Sequence, residues 1–209
     1  MMPGIIYLKG AVRGLVPEGE RVVSLIESIS PDALGLTVSN EGLEALKNPA
    51  MNAGGGKPVN VEEEIYMRGL SKFGKVVRPP PCFSMAVLRS VKDDIPIKAL
   101  DMDDEHYTAA YCRYVSTMDM MRQGRAGKSL LRYRFKSTTA ANFVVEWDRL
   151  VNRFSGYRSL EKARERWFAK GICRLSEKYG KTLIVVELER LPGLESQLHS
   201  MGCAFEKVH

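Results

Sequence analysis

Two arginines near opposite ends of the chain stand in matching settings. Arg13 closes Ile5-Ile6-Tyr7-Leu8-Lys9-Gly10-Ala11-Val12-Arg13, and Arg190 closes Leu183-Ile184-Val185-Val186-Glu187-Leu188-Glu189-Arg190. Each follows an apolar run and a short turn, the pattern of a buried strand that delivers a side chain at its carboxyl end. A guanidinium stays charged and grips phosphate or carboxylate through two parallel hydrogen bonds. Carboxylates with acid–base capacity fall in comparable places: Asp101 and Asp103 after a third apolar run, Glu187 and Glu189 beside Arg190. Thr37 ends a further run. Ligands of α/β sheets bind beyond the carboxyl ends of the strands, so Arg13, Thr37 and Arg190 are the candidate ligand-binding residues. Asp101, Asp103, Glu187 and Glu189 are the candidate acid–base groups. Two arrangements are open. The arginines form a small cationic cleft for a phosphate or carboxylate, or each pairs internally with Asp101, Asp103 or Glu187 and fills the space.

Other charged groupings carry less chemistry. Arg122, Arg125, Lys128, Arg132, Arg134 and Lys136 form a basic stretch with no intervening acid, interleaved with Tyr133 and Phe135. Such a stretch can track a nucleic-acid backbone, and its structural alternative is an exposed helical arm with inward-packed aromatics. The same region holds Gly124-Arg125-Ala126-Gly127-Lys128-Ser129, which fails as a phosphate loop. A glycine is required where Arg122 stands, and a helix precedes it where a strand is needed. Asp101, Asp103, Asp104 and Glu105 lack calcium-loop spacing, and Asp103 to Glu105 read more simply as a helix cap and first turn. Met102, Met118, Met120, Met121, Tyr107, Tyr111 and Tyr114 read as helix-packing residues. No Ser-His-Asp or Cys-His set can be assembled.

Strands are read at Ile5–Leu8, Ala33–Val38, Ile95–Leu100, Lys181–Glu187 and Cys203–Val208, with Lys75–Arg78 a short strand or connector. Val22, Val23, Leu25, Ile26 and Ile29 set a helix over Glu18–Ser30. Strand, helix, strand over so short a stretch implies a parallel crossover unit. Asn40 caps a short helix to Leu46, Asn48–Asn60 is a loop rich in glycine, and Val61–Lys72 is helical. A helix over Phe83–Val91 follows the break at Pro79-Pro80-Pro81. From Asp104 to about Tyr179 only helices are read. The first runs to Met121 and is interrupted at Gly124–Gly127, and Ser129–Phe135 forms a short one. Another is capped within Ser137-Thr138-Thr139, and the last covers Leu160–Lys178. A final helix spans Pro192–Ser200. The expected fold class is α/β: a single domain over residues 1–209 with a central, mainly parallel or mixed sheet and a helical insertion over about 104–179.

The 209 residues are 44% hydrophobic and 27% charged, enough apolar material for a core without staples. Cys82, Cys112, Cys173 and Cys203 are far apart and read as scattered small hydrophobes in a reducing compartment. Neither a signal peptide nor an apolar run long enough to span a bilayer is visible, so the expected location is cytoplasmic. The net charge of +6 mildly favours anionic partners.

The order of landmarks resembles the TraB/PrgY and Tiki superfamily, which includes ChaN-like and erythromycin-esterase-like proteins. The family opens on a strand and a G-x-x-H turn, and Gly10-Ala11-Val12-Arg13 occupies that place. Its "PD" and functional glutamate correspond to Pro31-Asp32 and Thr37. Its D-R-D-like segment corresponds to Asp101-Met102-Asp103, and its E-R pair to Glu165-Arg166. Its second G-x-x-H and "PGL" correspond to Glu187-Leu188-Glu189-Arg190-Leu191-Pro192-Gly193-Leu194. The resemblance implies a metal-dependent hydrolase scaffold in which both histidines and the glutamate are replaced. Arginine has no lone pair for a metal. His106, His199 and His209 fall at no motif position. The expectation is therefore a catalytically degenerate protein with no metal and no cofactor, acting by binding or regulation on a small anionic ligand. A hydrolase of altered mechanism using the acidic residues is one alternative, and a basic nucleic-acid-binding module is another. A homodimer through the helical insertion is a further possibility that the sequence does not fix.

Overall fold

The computed structural model describes residues 4–48 and 60–209. The expected loop Asn48–Asn60 therefore lies, over residues 49–59, outside the described residues. The chain opens with β1 (Ile5–Ala11), α1 (Val16–Ile29), β2 (Ala33–Leu36) and α2 (Asn40–Lys47). Next come α3 (Val61–Leu70), α4 (Pro81–Lys92) and β3 (Ile97–Ala99). The helical stretch is α5 (Asp104–Tyr114), α6 (Thr117–Leu130), α7 (Ala140–Val151) and α8 (Ser155–Lys178). The chain closes with β4 (Lys181–Glu187), α9 (Leu191–Ser200) and β5 (Phe205–Lys207). The fold is α/β, as expected. Among the described residues the strands form one five-stranded sheet in the order β3-β2-β4-β1-β5, with every pairing parallel.

This order joins the two ends of the chain. β1 and β4 are hydrogen-bonded neighbours in register from Ile5 opposite Lys181 to Ala11 opposite Glu187. Both strands are buried on two faces, which explains their nearly unbroken apolar sequence. Ile6, Leu8, Ile184 and Val186 face Phe168 and Ile172 of α8 and Leu194 and Leu198 of α9. Leu34, Leu36, Leu183 and Val185 face Val22 and Ile26 of α1 and Phe83, Ala86 and Val87 of α4. Each fully buried Leu, Ile or Phe contributes roughly 1.5–3 kcal/mol, so the two layers hold the strand ends rigidly. A third cluster sits past the carboxyl end of β1, where Val12, Leu15, Ile65, Tyr66, Leu70, Phe143, Val144 and Trp147 pack together. It fastens α3 and α7 over the end of the sheet.

Several local expectations are corrected. The break in the helical stretch comes at Val115, where Ser116 and Asp119 form a reciprocal capping box that starts α6. Gly124 and Gly127 lie inside α6 and do not interrupt it, since each lowers helix propensity by only about 1 kcal/mol relative to alanine. Residues 131–136 are not helical. Ser39, not Asn40, caps α2, its hydroxyl accepting from the Gly42 amide. Thr139 caps α7. Lys75–Arg78 supplies one isolated bridge, Val76 to Leu15. Met118, Met120, Met121 and Tyr107 are exposed instead of packed. Cys173 and Cys203 are joined as a disulfide, leaving Cys82 and Cys112 free. That bond ties α8 to the approach of β5, the three-residue edge strand. Among the described residues no helix is long and apolar enough to cross a membrane.

Candidate functional site

The carboxyl ends of β1 and β4 open into a cleft of about 750 Å³. Its floor is the turn after each strand: Arg13 and Gly14 from β1, and Glu187, Glu189 and Arg190 from β4. Its walls are Tyr66 of α3, Tyr107 of α5, Gln123 of α6, Trp147 and Asp148 of α7, and Tyr157, Glu161 and Arg164 of α8. Arg13 and Arg190 thus share one cleft, because their strands are adjacent and the two turns leave the sheet side by side.

The two arginines do different things. Arg190 is 7% exposed and sits in a cage of carboxylates. Its Nη2 donates to Asp148, and its Nη1 lies 3.1 Å from Glu165 and 3.3 Å from Glu161. Burial and the nearby Arg13 lower its pKa to about 10, which leaves it charged at neutral pH. Arg164 completes the network, with Nη1 2.9 Å from Glu161, Nε 3.2 Å from Asp101 and Nη2 on the same Asp101 carboxylate. Burial and Glu161 push Glu165 up to about 7 against the pull of Arg164, and its hydrogen bond from Arg190 also favours the ionised form.

Arg13 has no such cage. Its guanidinium lies 5.2 Å from the centre of the Tyr66 ring, a cation–π contact, and the Tyr66 hydroxyl donates to the Arg13 carbonyl at 3.0 Å. Among the described residues no carboxylate comes within ion-pair distance of Arg13, and its buried Nε has no hydrogen-bond partner. Burial works against its charge, but the fields of Glu187 and Glu189 outweigh that and raise its pKa. Glu189 is the matching feature. Its Oε2 is buried without a partner, and burial lifts its pKa to about 7 despite the opposing field of Arg13. Gln123 Oε1 is a second buried acceptor without a partner.

The other expected residues support the cleft from behind or lie apart from it. Thr37 is 1% exposed and does not line the cleft; its hydroxyl donates to Glu187 Oε2 at 2.6 Å, which fixes the Glu187 carboxylate. Asp101 is held by Arg164. Asp103 caps α5, accepting from the His106 amide at 2.8 Å and meeting the His106 ring at 2.7 Å. Neither arginine of the pair is therefore neutralised by Asp101, Asp103 or Glu187; Arg190 uses Asp148, Glu161 and Glu165 instead. Of the Glu165-Arg166 pair, Glu165 is buried in the network and Arg166 is exposed. Gly193 leaves room for Glu165, since a Cβ there would lie 2.1 Å from Glu165 Oε2.

Arg122, Arg125, Arg132, Arg134 and Lys136 are exposed, and the side chain of Lys128 lies outside the described set. Phe135 turns inward onto Phe143 at 4.8 Å, while Tyr133 stays exposed with its hydroxyl on Glu146 at 2.9 Å. Among the described residues no three His, Cys, Asp or Glu side chains gather so as to hold a metal ion.

The residues that sequence reasoning missed are Tyr66, Gln123, Asp148, Glu161 and Arg164. A signal was present for two elements. Glu161, Arg164 and Glu165 fall in register with Leu160, Phe168, Ala169 and Ile172 on the apolar stripe of α8, and Asp148 falls four residues after Val144 on that of α7. Charges in core positions are costly unless paired, so they mark a buried network. Neither a protein-family model nor a curated protein matches the chain.

Proposed function

We propose that this protein is a ligand-binding, TraB-like α/β protein without the family's metal chemistry, and that Arg13 holds the anionic group of a small ligand. The observation that carries this reading is the contrast between the two arginines. Arg190 is consumed by three carboxylates, whereas Arg13, which lines the cleft, keeps a buried Nε without a partner. A donor kept dry and unsatisfied is costly unless something supplies an acceptor. The expected two-arginine cradle thus reduces to a one-arginine receptor, with Arg190 serving as scaffold. The positions that correspond to the family's histidines carry groups unable to ligate a metal.

The test is calorimetric titration of the purified chain with sodium acetate and with inorganic phosphate, on the wild type and on Arg13→Gln. The reading expects binding that Arg13→Gln abolishes while the fold is retained. Equal binding by both proteins overturns it, as does stoichiometric zinc, manganese or cobalt in the purified protein. A second reading, a hydrolase of altered mechanism, is favoured by Glu189, whose pKa near 7 beside a cation suits a general acid or base. A cytoplasmic setting belongs to the proposal, while the Cys173–Cys203 bond weighs toward an oxidising one. Thiol alkylation in freshly lysed cells separates them.

A further inference from the structure

We infer that the ligand is a zwitterion, with a carboxylate on Arg13 and an ammonium group on Glu189. This rests on the reading that Arg13 is the anion receptor. Four arginines line the cleft against six carboxylates. Arg190 and Arg164 are already engaged by Asp148, Glu161, Glu165 and Asp101, and Arg78 lies 3.0 Å from Glu63. Arg13 remains, facing Glu187 and Glu189. A purely anionic ligand would satisfy Arg13 but add negative charge to an acidic cleft. A ligand with an added cationic end removes that conflict.

The unpartnered atoms point the same way. The cleft residues include one buried donor without an acceptor, Arg13 Nε, and two buried acceptors without a donor, Glu189 Oε2 and Gln123 Oε1. Arg13 and Glu189 feel each other's field, yet among the described residues no ion pair joins them. A carboxylate supplies the missing acceptor, and an ammonium group carries three donors and no acceptor. Tyr66 and Trp147 line the same space and supply apolar surface for the stem between two such ends.

The groups facing Glu189 are Arg13 after β1, Glu187 at the end of β4, Glu161 of α8 and Tyr66 of α3. The ionised form of Glu189 gains most from an ammonium partner. Zwitterion affinity therefore rises about tenfold between roughly pH 6 and pH 8 as Glu189 ionises, and affinity for the simple acid falls. The experiment titrates the full chain with glycine, 4-aminobutyrate and 6-aminohexanoate. Each is matched by the carboxylic acid lacking the amine and by the amine lacking the carboxylate. The inference expects one amino acid to bind at least about tenfold more tightly than its matched acid. Glu189→Gln should erase that advantage, and Arg13→Gln should erase binding. If acids bind as well as amino acids and only Arg13→Gln matters, the zwitterion inference fails and the anion reading stands. If amines alone bind independently of Arg13, both fail; if none of the nine compounds binds, the zwitterion inference fails, and the anion reading falls with it unless inorganic phosphate binds through Arg13.

Discussion

Replacing Arg190 with methionine removes the cation but keeps most of the apolar stem. Three carboxylates then lose their shared partner. Asp148 has a side chain 24% exposed and recovers some hydration, and Glu161 keeps Arg164 at 2.9 Å. Glu165, with a side chain 9% exposed, is left poorly compensated wherever it is charged. Breaking one side of a buried ionic cluster costs about 3–5 kcal/mol. For a chain of this size each kcal/mol moves the melting midpoint by roughly 2–4 °C, so Arg190→Met should melt on the order of 10 °C below wild type at pH 8. The deficit also depends on pH in a fixed direction. Glu165 already titrates near 7 in the folded state against an ordinary value of 4.5, and losing Arg190 raises it further. A raised carboxylate is harmless below its unfolded pKa and costs stability as pH rises toward its folded one. The gap between variant and wild type should thus be small near pH 5 and full near pH 8. Arg13→Met is the control. It loses a cation–π contact worth about 0.5–1 kcal/mol and the screened field of Glu187 and Glu189, but no ion pair. Urea denaturation of all three proteins at both pH values is the assay. An Arg190→Met cost within about 1 kcal/mol of wild type at pH 8, or an equal cost for Arg13→Met, refutes the division of labour between the arginines.

Other consequences follow from single contacts. Cys173→Ser opens the loop closed across a sequence separation of 30; chain entropy assigns that closure about 3.6 kcal/mol, and hydrogen exchange should rise first in β5. Gly193→Ala drives a methyl group into the Glu165 carboxylate and should cost more than about 2 kcal/mol by denaturation, with Glu165→Ala restoring part of the loss. Asp103→Ala removes the α5 cap and the exposed contact with the His106 ring, so it should cost about 1 kcal/mol of stability and leave acetate binding unchanged. Glu189→Gln should flatten stability against pH. The wild-type carboxyl, raised from 4.5 to about 7, withdraws up to roughly 3 kcal/mol as pH climbs through that window, and the amide cannot.

The fold was legible because β1, β2 and β4 are largely buried and announce themselves as apolar runs, while the short edge strands β3 and β5 are half exposed. All five fell where the pattern put them: β4 matches, β2, β3 and β5 lose one or two residues at an end, and β1 runs three residues further, to Ala11. The adjacency of β1 and β4 was an inference from two similar termini, and a sheet order that brings first and fourth strands together has no local signature. Helix punctuation was harder. Two glycines marked Gly124–Gly127 as a break, but the stronger signal was the reciprocal cap at Ser116 and Asp119. Of the candidate site, Arg13, Arg190, Glu187 and Glu189 were found from strand ends, which backbone pattern dictates. What each arginine binds was not legible, because Asp148, Glu161 and Glu165 come from helices far along the chain. The Cys173–Cys203 pairing was hidden for the same reason: only the packing of α8 beside the last strand brings the sulfurs together.

The most direct test is a titration of the arginine side-chain Nε–H resonances in a nitrogen-15-labelled sample as acetate and then 6-aminohexanoate are added. The account predicts that the Arg13 resonance moves and saturates while those of Arg190 and Arg164, locked in their carboxylate cage, stay in place. Movement of Arg190 or Arg164 with Arg13 unchanged would contradict it.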